Sequence, residues 1–526
     1  MVLVCMAGAA VTVVFMLLSP AYGITFDERA RHHHGERVLE FLRGGLGYED
    51  FPADDSGGHL YGALFDTSAA WLHEHARGNV WIERHYLGAA FAGIGLIATG
   101  LLALRLTGAA VGLFVVALLA MSPRYVGHAM NNPKDIPFAA LCMVSLLAFT
   151  LVRSAPPFLS WGSAVVLGLA LALPLNVRPG ALLYLAYLGG LLATMVILAR
   201  AWALPTLVAV VARFALVAVL ALTVGTLFWP WAQVNPLVRP FVALGQSSQF
   251  PWRGDVLFDG REVATTALPW HYLPLWIVIT TPPVVLCGLL WASGATVVAR
   301  GRERLWRAGL WVAALGPIAV IIARHSPVYD GWRQVLFVYP PLVILAASGW
   351  RDVIVSSQKR PVLSGVVLAG VLLGCAEPLL YMVRSHPNQA VYFNAHVRGP
   401  RGAFRRFELD YWGNSLLQAS AWTAGVAQRI GVRLKVSGWP YPLVHEDVLR
   451  FPSLIPTEPA AEAHHLEVRL LRDSREGLRR TMSRSDILHV VRTDDGAPLA
   501  VVLPGPEFRE IRDLVPGLDR PDDLQP

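Results

Sequence analysis

The sequence predicts an α-helical polytopic membrane protein of about eleven transmembrane helices, with a small α/β domain at its C-terminal end. Three observations carry this. Hydrophobic residues make up 54% of the 526 residues and charged residues only 15%, where an ordinary soluble protein carries about 25% charged residues. Mean hydropathy is +0.47. Long apolar runs recur up to residue 381, and the tail beyond is ordinary in composition.

The apolar runs fall at 2–19, 85–104, 108–122, 137–152, 159–176, 180–199, 206–228, 272–293, 308–323, 334–349 and 361–381. Each is long enough, or nearly so, to cross about 30 Å of hydrocarbon. The first is read as a retained helix: "SPAYG" has the small residues of a signal cleavage site, but no basic segment precedes the run. Charge asymmetry sets the orientation. With the N-terminus cytoplasmic, the inside connections carry Arg105, Arg153, Arg200, "ARGRERLWR" (299–307), Arg351, Lys359 and Arg360, against only Glu303 and Asp352. This obeys the positive-inside rule, which also accounts for the net charge of +7 without nucleic acid as a partner. The 17 tryptophans suit membrane interfaces. Cys5, Cys142, Cys287 and Cys375 all sit inside apolar runs, with no CxxC spacing, and read as small buried hydrophobes.

Three segments are not membrane. The loop 21–84 is polar and acidic, with two short amphipathic patterns, "GERVLEFLRG" (35–44) and "LFDTSAAWLHEHARG" (64–78), that suit interfacial helices. The loop 229–271 holds Trp229, Trp231, Trp252 and Trp270, read as interface anchors or sugar platforms. The tail carries a helical stretch around 412–430, a strand at 432–438, and two strands within 486–505 joined at Asp494-Asp495-Gly496. The chain thus divides into a membrane domain, 1–383, and an extracytoplasmic domain, 384–526. Tyr392-Phe393-Asn394 and Asp410-Tyr411-Trp412 read as packing between the two. The sequence has no internal repeat and no low-complexity tract.

An ionisable residue at membrane depth is expensive and therefore a functional candidate. On this topology such residues crowd the outer ends of the spans. Asp27, Glu28 and Arg29 follow the first run, and "SPRYVGHAMNNPKDIPF" (122–138), with Lys134 and Asp135, follows the third. Arg178 follows the fifth, and "ARHSPVYDGWRQ" (323–334), with Arg324, Asp330 and Arg333, follows the ninth. Carboxylates accept a proton from an attacking hydroxyl or amine. Clustered Arg and Lys hold a phosphate and stabilise it as it leaves. A phosphate carried on a lipid is the substrate these imply. The Walker loop, the GxGxxG fingerprint and the G-x-S-x-G elbow are absent.

These residues, in this order, resemble the GT-C class of lipid-phosphate-sugar-dependent glycosyltransferases, which includes protein O-mannosyltransferases and the aminoarabinose transferases that modify lipid A. The resemblance covers most of residues 1–395. It rests on the Asp27-Glu28 pair after the first span, Asp135 in "NNPKDIPF", Arg178 in "NVRPGALLYL" and the stretch "GWRQVLFVYPPLVILAA" (331–347). It implies transfer of a sugar from a polyprenyl-phosphate donor to a lipid, glycan or protein acceptor, with inversion. Asp27 would be the base that activates the acceptor. Glu28 would support that loop or supply a second charge, and Asp135 would be a further catalytic acid. Arg178, with Lys134, Arg29, Arg31, Arg324 or Arg333, would hold the lipid phosphate. The aminoarabinose transferases carry an arginine three residues after the first acid, where this sequence has Ala30.

Other readings of the same residues stand beside these. "TFDE" (25–28) is good helix N-terminal chemistry, so Asp27 is also a candidate cap. His32, His33 and His34 point about 100° apart on a helix and cannot converge on one ion. No cofactor is required, although the carboxylates are candidates for a Mg or Mn ion. The rival function is a transporter or flippase, which would place its charges near the midplane on broken, repeated helices.

Overall fold

A computed structural model describes all residues except 54–56, 251–253, 460–462, 513 and 515–526; Trp252 lies outside the described residues. Among those described, each of the apolar runs is helical. Seven helices are long and apolar enough to cross a membrane: Val2–Ala21, Val80–Thr107, Pro179–Leu198, Leu204–Val224, Gly301–Ala323, Arg333–Ser357 and Pro361–Arg384. The protein is a multi-pass membrane protein. The remaining four runs differ from simple spans. Ala109–Ala120 turns by 69° into Pro123–Asn131, and Tyr272–Thr280 turns by 118° into Pro283–Val298. Both breaks fall at prolines, which open a new helix but cannot continue the old ladder. Asp135–Leu151 and Trp161–Leu175 are shorter apolar helices.

The loop after the first helix folds into two helices, Glu28–Leu42 and Leu64–Ala76. The first begins seven residues before the amphipathic pattern at 35–44. The Glu28 carboxylate accepts from the Thr25 N–H at 2.8 Å and from the Thr25 hydroxyl at 3.1 Å. This back-reaching contact of a T-x-x-E sequence starts the helix early. Its buried residues are Glu28, Arg31, Gly35, Val38 and Leu39, the stripe expected of a half-buried helix. Gly35 lies against the Asp66 backbone, where a Cβ has no room. In the loop 229–271 a hairpin pairs β1 (Asp255–Phe258) with β2 (Arg261–Ala264). Its turn is Asp259-Gly260, with φ of 46° and 76°, the left-handed pair that Asp-Gly favours in a two-residue hairpin.

The C-terminal sheet has five strands: β3 (Leu434–Trp439), β4 (Leu454–Pro456), β5 (Leu466–Leu470), β6 (His489–Arg492) and β7 (Pro498–Pro504), in the order β4-β3-β5-β7-β6. β3 runs parallel to β4 and β5; β7 runs antiparallel to β5 and β6. Alternation along β7 splits its residues between two cores. Ala500 and Val502 join Leu416, Val426 and Val444 of the covering helices. Val501 and Leu503 join Leu478, Ile487 and Leu257 of the β1 strand. This domain grips the membrane helices. Arg450 donates to the Pro20 carbonyl at 2.7 Å and the Tyr22 carbonyl at 3.0 Å. The Asn394 amide donates to the Val278 and Thr281 carbonyls at 2.7 and 2.9 Å, across the sharp bend at 281–282. Tyr411 and Trp412 both bond to His128.

Candidate active site

Five of the charged residues singled out in the sequence converge at one end of the helix bundle, from four separate segments. Asp27 stands at the head of the helix Glu28–Leu42. Lys134 and Asp135 occupy the turn into the helix Asp135–Ala148. The Asn132 side-chain carbonyl accepts from the Asp135 N–H at 2.9 Å and the Lys134 N–H at 3.2 Å, which fixes that turn. Arg178 precedes Pro179 and is extended, with φ −149° and ψ 143°, as the following proline demands. Arg333 follows a turn made by Asp330 and Gly331, with φ of 56° and 69°.

The charges interlock. Lys134 lies 2.9 Å from Asp27, and Arg178 lies 2.6 Å from Asp135. Arg333 bridges both carboxylates, with Nη1 3.4 Å from Asp27 and 3.5 Å from Asp135, and donates through Nε to Asp330 at 2.9 Å. Asn132 donates to Asp135 at 2.8 Å. The two acids differ in access: the Asp27 side chain is 23% exposed and that of Asp135 only 1%. Asp27 is therefore the carboxylate a substrate can reach. Burial alone would raise its pKa, but Lys134 and Arg333, with Arg178 behind them, outweigh burial and hold it well below the usual carboxylate range.

Several residues of the site gave no signal in the sequence. The Tyr61 ring lies 5.1 Å from Lys134 and 5.8 Å from both Arg178 and Arg31, an aromatic face shared by three cations. Arg333 lies 4.6 Å over Trp412 and 5.0 Å over Tyr329. The Tyr329 phenol is pushed up by burial. Arg472, from the turn after β5, reaches Asp330 at 2.6 Å. Glu408 faces Arg472 at 3.5 Å, and burial pushes its carboxyl up to about 7 against the pull of that arginine.

Other candidates lie elsewhere. Glu28 turns away from Asp27 to Thr25 and to His85 Nε2, at 3.1 Å. Arg29 is exposed, 3.9 Å from Glu446. Arg31 is buried against Asp66 at 2.5 Å and the Gly62 carbonyl at 2.7 Å, and Arg84 takes the other Asp66 oxygen at 2.9 Å. Among the described residues, Arg31 reaches the site through Tyr61. Arg324 is exposed and donates to Ser248 at 3.1 Å. The histidines diverge: His32 packs on Trp81 and His73, His33 is exposed beside Glu36, and His34 packs on Phe51. Burial, with Arg31 nearby, pushes His34 down to about 3.

Asp27 and Asp135 are the carboxylates at hand for a Mg or Mn ion: Oδ2 of Asp27 is shared by Lys134 and Arg333, Oδ1 of Asp135 pairs with Arg178, and its Oδ2 takes Arg333 and Asn132. A second grouping, His465 with Glu507 and Glu510, lies in the C-terminal domain. His465 Nδ1 accepts from the Lys435 N–H at 3.0 Å, and its Nε2 faces the two glutamates at 3.9 and 3.7 Å. Lys435 Nζ pairs with Glu507 at 3.1 Å.

The structure is similar to ArnT from Cupriavidus metallidurans bound to undecaprenyl phosphate, over 98% of each chain, with a TM-score of 0.50 at 15% identity. The apo form of the same protein gives 0.49 at 16% identity, again over 98% of each chain. The chain has the GT-C fold. The archaeal oligosaccharyltransferase AglB from Archaeoglobus fulgidus, in complex with an inhibitory peptide and a dolichol-phosphate, is similar over 91% of this chain and 72% of that one, with a TM-score of 0.45 at 11% identity. No protein-family model and no curated protein matches the sequence. At these identities the likeness is one of fold.

Proposed function

We propose that this protein is a membrane glycosyltransferase that moves a sugar from a polyprenyl-phosphate carrier to a lipid, glycan or protein acceptor on the extracytoplasmic side. The N-terminus is cytoplasmic, and residues 384–526 lie on the same side as the site. The observation that carries this reading is the convergence of Asp27, Lys134, Asp135, Arg178 and Arg333 at the end of an apolar helix bundle. At the site itself four cations (Lys134, Arg178, Arg333, Arg472) face three aspartates (Asp27, Asp135, Asp330) and Glu408, whose carboxyl burial pushes up to about 7. Such cations can hold an anion, and a lipid-borne phosphate reaches this depth from the bilayer. ArnT, of the same fold, binds undecaprenyl phosphate.

In this mechanism the acceptor hydroxyl or amine attacks the anomeric carbon from the face opposite the phosphate. A bond forms from the acceptor atom to that carbon as the carbon–oxygen bond to phosphate breaks, so the configuration inverts. Asp27 takes the acceptor proton. Arg178, Lys134 and Arg333 stabilise the departing polyprenyl phosphate. Asp135 holds Arg178 and Arg333 in place, and Glu28 holds the loop that presents Asp27. A transporter or flippase gains no support: the charges sit at one end of the bundle, and no inverted repeat is visible in the sequence.

The test is reconstitution with radiolabelled polyprenyl-phosphate sugars, comparing wild type with Asp27→Asn. Loss of a positioned base slows transfer by roughly 10²–10⁴-fold. Undiminished transfer by a folded Asp27→Asn protein removes Asp27 from the base role.

A further inference from the structure

We propose that Arg472 of the C-terminal sheet domain is a positioning residue for the carrier phosphate, acting through Asp330 on Arg333. The inference rests on the glycosyltransferase reading above and extends the site into a second part of the chain. Arg472 touches three segments at once. Its Nη2 pairs with Asp330 Oδ1 at 2.6 Å. Its Nη1 donates to the Tyr411 carbonyl at 3.0 Å, beside Glu408. Its guanidinium lies 5.2 Å over the ring of Phe26, the residue before Asp27. One side chain therefore ties the segment bearing the base to the segment bearing the phosphate-binding arginine.

Asp330 is the middle link. One of its oxygens takes Arg472 and the other takes Arg333 Nε at 2.9 Å. It is 4% exposed and sits at φ 56° before Gly331 at 69°, a left-handed pair that Asp-Gly adopts readily. A carboxylate shared by two guanidinium groups neutralises each only in part. Arg333 thereby keeps charge on Nη1, which stands at loose distances of 3.4 and 3.5 Å from Asp27 and Asp135. Without Arg472, Asp330 would close on Arg333 alone and offset more of that charge. Glu408 does not cancel Arg472 below about pH 7, because burial keeps its carboxyl protonated there.

The experiment measures binding of radiolabelled undecaprenyl phosphate to the purified full-length protein in lipid nanodiscs, with a melting curve for each variant. Arg472→Gln is expected to bind about tenfold more weakly, the size of one charge-assisted hydrogen bond carried through Asp330. Arg472→Lys, which keeps the charge, should bind within about threefold of wild type. Arg472→Met keeps the stem against Phe26 and replaces the Gln variant if that one does not fold. A merely structural role would lower the melting temperature and the bound fraction while leaving the affinity of the folded protein unchanged. Unchanged affinity in both neutral variants overturns the role of Arg472 alone. Absence of binding by wild type overturns the carrier-phosphate reading, and this inference with it.

Discussion

Replacing Asp135 by Asn removes one charge from the most enclosed ion pair of the site without changing the side chain's shape. Arg178 lies 2.6 Å from Asp135, and the two side chains are 10% and 1% exposed. At an effective dielectric near 20 the gross attraction at that distance is about 6 kcal/mol. Much of it offsets desolvation, and breaking one partner of such a pair costs about 3–5 kcal/mol because the other is left charged and buried. Here Arg333, 3.5 Å from Asp135, is stranded in part as well. The Asn132 contacts survive, since an amide at position 135 accepts from Asn132 by its oxygen. The lower end, about 3 kcal/mol, is therefore expected for Asp135→Asn, and a similar loss for Arg178→Gln. In a chain of this length that is a fall of a few degrees in melting temperature. The assay is thermal unfolding in nanodiscs at one fixed scan rate, because unfolding of membrane proteins is commonly irreversible. The double variant leaves neither charge unpaired and should lose less than the two single losses added. An additive double variant, or single variants that melt with wild type, refutes the coupling.

Three further outcomes follow from other parts of the structure. Asp447, buried beneath the Ile24 N–H it binds, is pushed up to about 8 by burial despite Arg450; the folded state holds this proton while the unfolded chain releases it near pH 4, so stability should fall from about pH 4 to about pH 8 and level off above. Asp447→Asn should remove that slope from a plot of melting temperature against pH, and a slope that persists rules Asp447 out. Glu28→Ala should lower the melting temperature through loss of the Thr25 contacts, by about 1 kcal/mol of cap stability, while turnover per folded molecule stays within a few-fold; a turnover loss as deep as that of Asp27→Asn would place Glu28 in the chemistry. Tyr61→Leu should weaken undecaprenyl phosphate binding by about three- to tenfold through loss of the shared cation-binding face, and Tyr61→Phe should restore it; equal binding by the Leu variant removes Tyr61 from the site.

The membrane part of the site was legible because charge at membrane depth is costly, so Lys134, Asp135, Arg178 and Arg333 each stood out against an apolar background. Their partners did not stand out. Tyr61, Glu408 and Arg472 lie in polar segments, where such residues are ordinary and only the tertiary fold gives them a role. The family order puts the base at Asp27 and makes Glu28 its neighbour, and adjacent residues diverge by about 100° at a helix start. The T-x-x-E spacing of Thr25 and Glu28 shows how the two part: Glu28 bonds the Thr25 backbone, while Asp27 pairs with Lys134 and Arg333. The same stripe buries Arg31 and exposes Arg29. In the tail, the β6–β7 hairpin announced itself at its Asp-Gly turn. β4 and β5 are strands of three and five residues joined in parallel to β3 through distant segments, a pairing without a local turn signal. The β1–β2 hairpin had an Asp-Gly signal, hidden within a loop read for its tryptophans.

A carboxylate held as low as Asp27 is a poor proton acceptor, and the proposed mechanism has to supply its basicity. The depressed value keeps Asp27 ionised through the ordinary carboxylate range. Its ion pairs therefore stabilise the fold above the unfolded value, near pH 4, and are lost only as pH falls through the folded one. Two of the cations responsible, Lys134 and Arg333, are the ones assigned to the carrier phosphate. When the phosphate engages them, Asp27 loses both partners while remaining enclosed, and burial then raises its affinity for a proton. On the proposed mechanism the donor itself would thus raise the basicity of Asp27. The consequence is visible in pH profiles of transfer, because kcat/KM reports ionisation of the free enzyme and kcat that of the complex. No acid limb in kcat/KM attributable to Asp27 is expected above about pH 4, whereas the acid limb of kcat should lie at higher pH. Coincident limbs would mean that the phosphate leaves the Asp27 ion pairs intact, and the base would have to be sought in another residue.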